Sequence, residues 1–144
     1  MKKLVALFLL SRSMFAACAS GEGTEDGEEG EEAAAVAACT DELPADTTVE
    51  GTPEDFPKPD GTIFTAGSEA GPSFVLEGYY DGDITDSFEA WEAEFEESGY
   101  DITKDEQEER DAEVFFAGKG TTGQVNMFFE CDGRTKLRIT IRPD

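Results

Sequence analysis

The chain has 144 residues and a formal net charge of −23, with 34 acidic and 11 basic side chains and no histidine. This length supports one compact domain. A surface this acidic repels phosphate backbones, because nucleic-acid binding takes its affinity from Lys and Arg side chains that release condensed counterions. We therefore exclude nucleic acid as a partner, and we interpret the acidity as a solubilising surface or as an adaptation to high salt.

The first 18 residues have the organisation of an export signal. Two lysines precede the apolar run Leu4–Leu10, which is too short to span a membrane, and Phe15–Cys18 closes the run with small residues before a cysteine. This ending resembles the lipobox of bacterial lipoproteins. The resemblance implies that residues 1–17 are removed and that Cys18 carries a diacylglyceryl group, which anchors the protein to the outer face of a bacterial membrane. The alternative is ordinary signal-peptidase cleavage at the small-x-small site Ala17–Ala19, which would give a freely secreted protein.

The chain contains three cysteines, an odd number for an exported protein. If the lipobox resemblance holds and Cys18 carries the lipid, Cys39 and Cys131 remain as a pair that an oxidising compartment would join. Such a disulfide would tie the start of the folded domain to its last hairpin, and chain-entropy models assign about 4–5 kcal/mol to so long a loop. The alternative is two unpaired thiols in a cytosolic protein, which the export signal argues against.

Residues 18–38 come after the signal. They consist of the anchor cysteine and a segment rich in Gly, Glu and Ala that has seven acids and no base. Like charges repel at this density and there is little to bury, so we expect a disordered acidic tether. Twenty flexible residues span roughly 25 Å, enough to hold a domain clear of lipid headgroups. We expect the folded domain to occupy residues 39–144.

Patterns within residues 39–144 predict an α+β domain of order ββαββββ, with an irregular segment over residues 40–60. Strands are predicted at 62–66, 73–80, 100–104, 112–117, 124–130 and 135–142. The one helix is predicted from an apolar stripe at spacings of 4, 3 and 4, formed by Ile84, Phe88, Trp91 and Phe95. Asp83 is a suitable N-cap and Gly99 a suitable left-handed C-terminal residue. We expect this amphipathic helix to pack on a mainly antiparallel sheet.

Two hairpins are predicted among the last three strands. Residues 118–123 form the loop of the first, and Cys131–Gly133 form a three-residue loop in the second. This second loop predicts three facing pairs, namely Glu130 with Arg134, Phe128 with Lys136, and Asn126 with Arg138. Residues 105–110 read as a polar connection between strands.

The run from Phe56 to Thr103, FPKPDGT…GYYDGDITDSFEAWEAEFEESGYDIT, joins a strand, an amphipathic helix and an aromatic strand. Within residues 55–142 this pattern is similar to small exported domains of bacterial lipoproteins. The resemblance implies the fold and a location in the cell envelope, and it implies no activity.

The residues give little support to catalysis or to a cofactor. There is no histidine, which removes the commonest general base and metal ligand, and no serine lies in a Gly-x-Ser-x-Gly motif. Asp81, Asp83 and Asp86 loosely follow the spacing of a calcium loop but lack its central glycine. We favour a turn and helix cap for these three residues, with weak calcium binding as the alternative. We expect no enzyme activity and no cofactor.

The last strand carries half of the domain's eight basic side chains. We call this set the basic stripe, and it consists of Arg134, Lys136, Arg138 and Arg142. All four fall on the outer side of a strand that we predict as a possible sheet edge. The functional interpretation is capture of an acidic partner or of an added strand. The structural interpretation is charge pairing within the sheet, with Glu130 and Glu113.

Three functions remain open at this stage. The first is a monomeric, lipid-anchored, non-catalytic module of the bacterial cell envelope that binds another envelope protein. The second is an acidic surface protein that has a structural or solubilising role and no specific ligand. The third is a weakly calcium-responsive surface domain.

Overall fold

The computed structural model describes residues 37–144, and residues 1–36 lie outside this description. The predicted signal peptide, the lipid-anchor Cys18 and nearly all of the predicted acidic tether are among those 36 residues. The described part contains the following elements: β1 (Thr62–Ala70), β2 (Ser73–Asp81), α1 (Ile84–Glu97), β3 (Asp101–Gln107), β4 (Asp111–Gly118), β5 (Thr121–Cys131) and β6 (Arg134–Pro143). One helix packs on one antiparallel sheet, so the predicted α+β class and the order ββαββββ are confirmed.

The six strands lie in the order β1-β2-β6-β5-β4-β3. The last strand is therefore hydrogen-bonded on both sides, to β2 and to β5, and its prediction as a possible edge strand is wrong. The physical reason is long-range pairing: the β1–β2 hairpin docks on β6, and α1 then carries the chain across the sheet to β3 at the opposite edge. Strand addition at β6 is consequently excluded.

The two true edges, β1 and β3, are both protected. Thr47 donates its backbone N–H to the carbonyl oxygen of Phe64 (3.0 Å), and an Asp46 carboxylate oxygen accepts the Phe64 N–H (2.9 Å), so the irregular segment covers β1 at Phe64, near the start of the strand. Lys58 pairs with Asp46 at 2.6 Å. Hydrogen bonds from Lys58 and from the Phe64 N–H hold the pKa of Asp46 below its ordinary value. At the other edge β3 is exposed and charged, which disfavours pairing with another chain.

Both helix caps form as predicted. An Asp83 carboxylate oxygen accepts the backbone N–H of Asp86 at 2.9 Å, which satisfies one free donor of the first turn. At the other end Gly99 has φ +78°, and Tyr100 donates its backbone N–H to the carbonyl of Phe95 at 2.9 Å. This is the Schellman pattern, in which glycine takes the left-handed conformation.

The core lies between α1 and the inner face of the sheet. The predicted helix stripe is buried, and Trp91 and Phe95 are fully inaccessible. Phe95 stacks on Phe116 of β4 with 4.4 Å between ring centroids. Phe56 of the irregular segment, which no local pattern placed in the core, packs against both Phe95 and Phe116, with ring centroids 6.1 Å and 5.7 Å apart. Tyr100, predicted to begin a strand, is a buried core residue that follows the helix cap.

The hairpins differ in detail from the prediction. Lys119 and Gly120, with φ +52° and +76°, form a two-residue turn, so β4 and β5 extend into the predicted 118–123 loop. Similarly, β3 extends through Gln107 into the predicted 105–110 connection. Two-residue turns with two positive φ angles match the twist of the flanking strands.

The last hairpin contains a bulge between Phe129 and Cys131 that pairs Cys131 with Arg134, so the predicted pairing of Glu130 with Arg134 is wrong. The turn therefore needs only Asp132 and Gly133. The other two predicted pairs, Phe128 with Lys136 and Asn126 with Arg138, are confirmed.

Cys39 and Cys131 form a disulfide, as predicted, with 5.1 Å between their Cα atoms. Backbone pairing next to the disulfide supports it: Asp132 donates its N–H to the Ala37 carbonyl at 3.0 Å, and Ala38 forms a β-bridge with Asp132. The first described residues are thus fixed to the β5–β6 turn.

Candidate functional site

The candidate site lies on the face of the sheet opposite α1, which we call the exposed face. Side chains alternate between faces along each strand. On β6 the core face is lined by Leu137, Ile139 and Ile141, which are all buried. The predicted basic stripe points the other way, together with Thr140. The structure divides the four basic residues into three different environments.

Arg134 is held inside the domain. Only 6% of this residue is exposed, and its guanidinium donates to the backbone carbonyl of Asp41 at 2.7 Å and to the Asp41 carboxylate at 3.4 Å. The same guanidinium lies 5.9 Å from the ring centroid of Tyr79. Arg134 therefore clamps the first described residues to the sheet and is not available to a partner.

Lys136 and Arg138 lie in the open centre of the exposed face. Lys136 has Tyr79 of β2 on one side and Phe128 of β5 on the other. Phe128 is 44% exposed, and it is the one large hydrophobic residue among residues 37–144 that is classed as solvent-exposed. Within the same residues no carboxylate lies within 4.0 Å of either cation. The two cations and the exposed ring form what we call the central patch: Phe128, Lys136 and Arg138.

The structural interpretation predicted that the basic stripe pairs with Glu130 and Glu113. Among the described residues, neither carboxylate makes an ion pair within 4.0 Å with the stripe. Glu77 of β2 faces Arg138 across the strands, without an ion pair closer than 4.0 Å. Glu113 faces Asn126, one strand further away, and Glu130 lies at the bulge. Among the described residues, Arg138 therefore has one acidic cross-strand neighbour, Glu77, and neither central cation makes an ion pair within 4.0 Å.

Arg142 lines a groove at the end of the exposed face that is farther from the disulfide. The groove has a volume of about 400 Å³. The lining side chains on the exposed face are Ser73, Thr103, Phe115, Ala117, Thr122, Gln124, Thr140 and Arg142. They come from five neighbouring strands, so no local sequence signal could have identified the groove. Arg142 donates from Nε to the Thr122 hydroxyl at 3.3 Å.

The acidic turn before the helix behaves as a cap. Asp83 bonds the helix N-terminus, and Asp81 donates its backbone N–H to the Gly61 carbonyl at 3.0 Å. Throughout residues 37–144 no group of three or more Asp, Glu or Cys side chains is placed to hold a metal ion. Burial raises the pKa of the Tyr80 phenol, and the nearby carboxylates of Asp86, Asp81, Asp83 and Asp60 raise it further. The turn thus carries a diffuse negative potential.

None of the helices in the described part of the chain is long and apolar enough to cross a membrane. The chain matches no protein-family model. No match is found among curated proteins, and none is found among solved structures.

Proposed function

We propose that this protein is a lipid-anchored, non-catalytic binding module of the bacterial cell envelope, attached through Cys18 and engaging an acidic envelope protein through the central patch. The resemblance of Phe15–Cys18 to a lipobox supports the anchor. The Cys39–Cys131 disulfide supports an oxidising compartment, since such bonds are rare in the cytosol.

The central patch is the observation that carries the binding role. Residues 39–144 bear a net charge of −19, yet Lys136 and Arg138 stand exposed beside the ring of Phe128, and among the described residues neither makes an ion pair within 4.0 Å. Interfaces combine an apolar anchor with charges that select and orient the partner. An acidic segment with one apolar side chain would complement this arrangement. The domain's own negative field would repel acidic chains that approach elsewhere.

The chemistry of the exposed face supports binding over catalysis. The face presents cations, hydroxyls, aromatic rings and the carboxylates of Glu77 and Glu113, and the chain has no histidine to act as a general base near neutral pH. Because β6 is internal to the sheet, a partner must be recognised by side chains and not by an added strand.

Site-specific photocrosslinking in the native host tests the proposal. A benzophenone amino acid at position 128 should give a discrete crosslinked species in envelope fractions, and the same probe at Ala93 on the exposed side of α1 should not. Lys136→Gln combined with Arg138→Gln should reduce the crosslink at least fivefold. The matched double variant Arg110→Gln with Lys119→Gln makes the same charge change outside the patch and should preserve it. An equal crosslink from position 93, or none at position 128, would leave a solubilising surface protein as the better account.

A further inference from the structure

The groove that contains Arg142 has the chemistry of a ligand site separate from the central patch. We propose that this groove binds an acidic carbohydrate, a sugar unit that carries a carboxylate. The groove's volume of about 400 Å³ lies within the ordinary range for small-molecule sites, and it accommodates one or two sugar rings.

The groove combines apolar surface with neutral polar side chains and one guanidinium, and no acid lines it, although 34 of the chain's 144 residues are acids. Four hydroxyl side chains surround it, from Ser73, Thr103, Thr122 and Thr140. Hydroxyls and the Gln124 carboxamide can each donate and accept hydrogen bonds, which is what the hydroxyl groups of a sugar require.

Arg142 supplies the preference for a carboxylate. Among the described residues its guanidinium makes one side-chain hydrogen bond, from Nε to Thr122. The two terminal nitrogens therefore remain available, and a guanidinium binds a carboxylate through two parallel hydrogen bonds. Beyond the groove, Lys104 lies with Nζ 5.3 Å from the Phe115 ring centroid but is paired with Glu106 at 3.0 Å, so Arg142 is the cation that the lining offers to a ligand.

Phe115 gives the groove an apolar surface. Its ring is partly buried and faces Gln124 across the strands, and an aromatic ring of this kind packs against the C–H face of a sugar. The small side chains of Ala117 and Thr122 in the neighbouring row leave the depression open beside it.

The topology argues for a sugar over an extended peptide. Peptides that bind sheets usually do so by main-chain hydrogen bonds at a free edge. Four of the five lining strands, β2, β6, β5 and β4, are paired on both sides and have no row of free backbone donors and acceptors, and the edge strand β3 contributes only Thr103. Recognition here must therefore come from side chains. The four hydroxyl groups can bind the hydroxyls of a sugar, and the guanidinium of Arg142 can bind its carboxylate.

The test uses the whole mature chain from position 18, with the substitution Cys18→Ser so that it carries no lipid. The protein is uniformly labelled with ¹⁵N, and spectra are recorded in 150 mM NaCl. The probe is trigalacturonate, and the neutral control is maltotriose. Trigalacturonate should shift the amide resonances of Thr122, Gln124 and Arg142 with a Kd in the millimolar range or below, and maltotriose should bind at least tenfold more weakly. The spectra also report whether each variant is folded.

Two charge-matched variants separate the groove from general attraction. Arg142→Gln should weaken trigalacturonate at least tenfold, whereas Arg110→Gln, the same charge change outside both the groove and the central patch, should change binding less than twofold. Equal weakening by both, or no shift at about 10 mM trigalacturonate, would overturn the proposal. Triglutamate binding the groove as tightly would overturn it in favour of an acidic peptide. The crosslink at position 128 is read separately, so failure here does not decide the partner-binding role.

Discussion

Loss of the Cys39–Cys131 disulfide should lower the free energy of unfolding by an amount that follows from the length of the closed loop. Cys39 and Cys131 are 92 positions apart, and the chain-entropy relation gives about 4.6 kcal/mol for a loop of this length at 25 °C. Spread over residues 37–144, an unfolding entropy of roughly 2.1 cal/mol/K per residue converts this into a fall in Tm of about 20 °C. The expected effect of replacing both cysteines by serine is therefore large.

The assay is urea and thermal unfolding followed by circular dichroism, on the oxidised protein and on the double serine variant. The m value should rise in the variant, because the unfolded chain without the cross-link exposes more surface. Asp41→Asn, which weakens the Arg134 clamp but keeps the disulfide, is the local control and should cost less than about 1 kcal/mol. A loss below about 1 kcal/mol in the double serine variant would refute the reasoning, because it would mean that the link does not restrict the unfolded chain.

Three further results are expected. Phe95→Ala should cost about 3–5 kcal/mol in urea unfolding, because a fully buried ring that stacks on Phe116 is lost; a cost under 1 kcal/mol would contradict the described core. Burial and the charges of Asp105, Glu96 and Glu89 raise the pKa of Glu92 above its ordinary 4.5. The folded state therefore binds this proton more tightly, and stability falls as pH rises through that window. Glu92→Gln should then raise Tm by about 1–2 °C at pH 7 and leave it unchanged below about pH 4, whereas the same gain at both pH values would contradict the assignment. Finally, Tm should rise with NaCl and with CaCl₂ equally at matched ionic strength, because screening relieves the repulsion within the −19 domain; a much larger calcium effect below 1 mM would instead indicate a site.

Local sequence patterns predicted the helix, its ends and most strands, because these features depend on residues that are close together along the chain. The spacing of Phe88, Trp91 and Phe95 follows directly from 3.6 residues per turn, and Asp83 and Gly99 mark the helix ends for reasons of backbone geometry alone. Likewise, the length of the last hairpin's loop, with which the alternation on both strands agrees, was enough to pair Phe128 with Lys136. The bulge at Glu130 was missed because a one-residue irregularity changes neither face's composition.

The candidate site depended on contacts that local patterns do not encode. The pairing of β2 with β6 places the basic strand in the middle of the sheet, and it brings Ser73 to the same groove as Arg142. Arg134 is withdrawn from solvent by Asp41, a residue 93 positions away. The burial of Phe56 has the same origin, since its partners belong to a helix and a strand much later in the chain.

The proposed partner is an envelope component, so the proposed function depends on attachment of this domain to a membrane at Cys18. The most direct test is the intact mass, without reductant, of the protein recovered from membranes of its native host. The account predicts a chain that begins at Cys18, heavier by a diacylglyceryl group with or without an amide-linked acyl chain, and lighter by two hydrogens for the Cys39–Cys131 disulfide. A chain that begins at Ser20 with no added mass would contradict the anchor and describe a freely secreted protein.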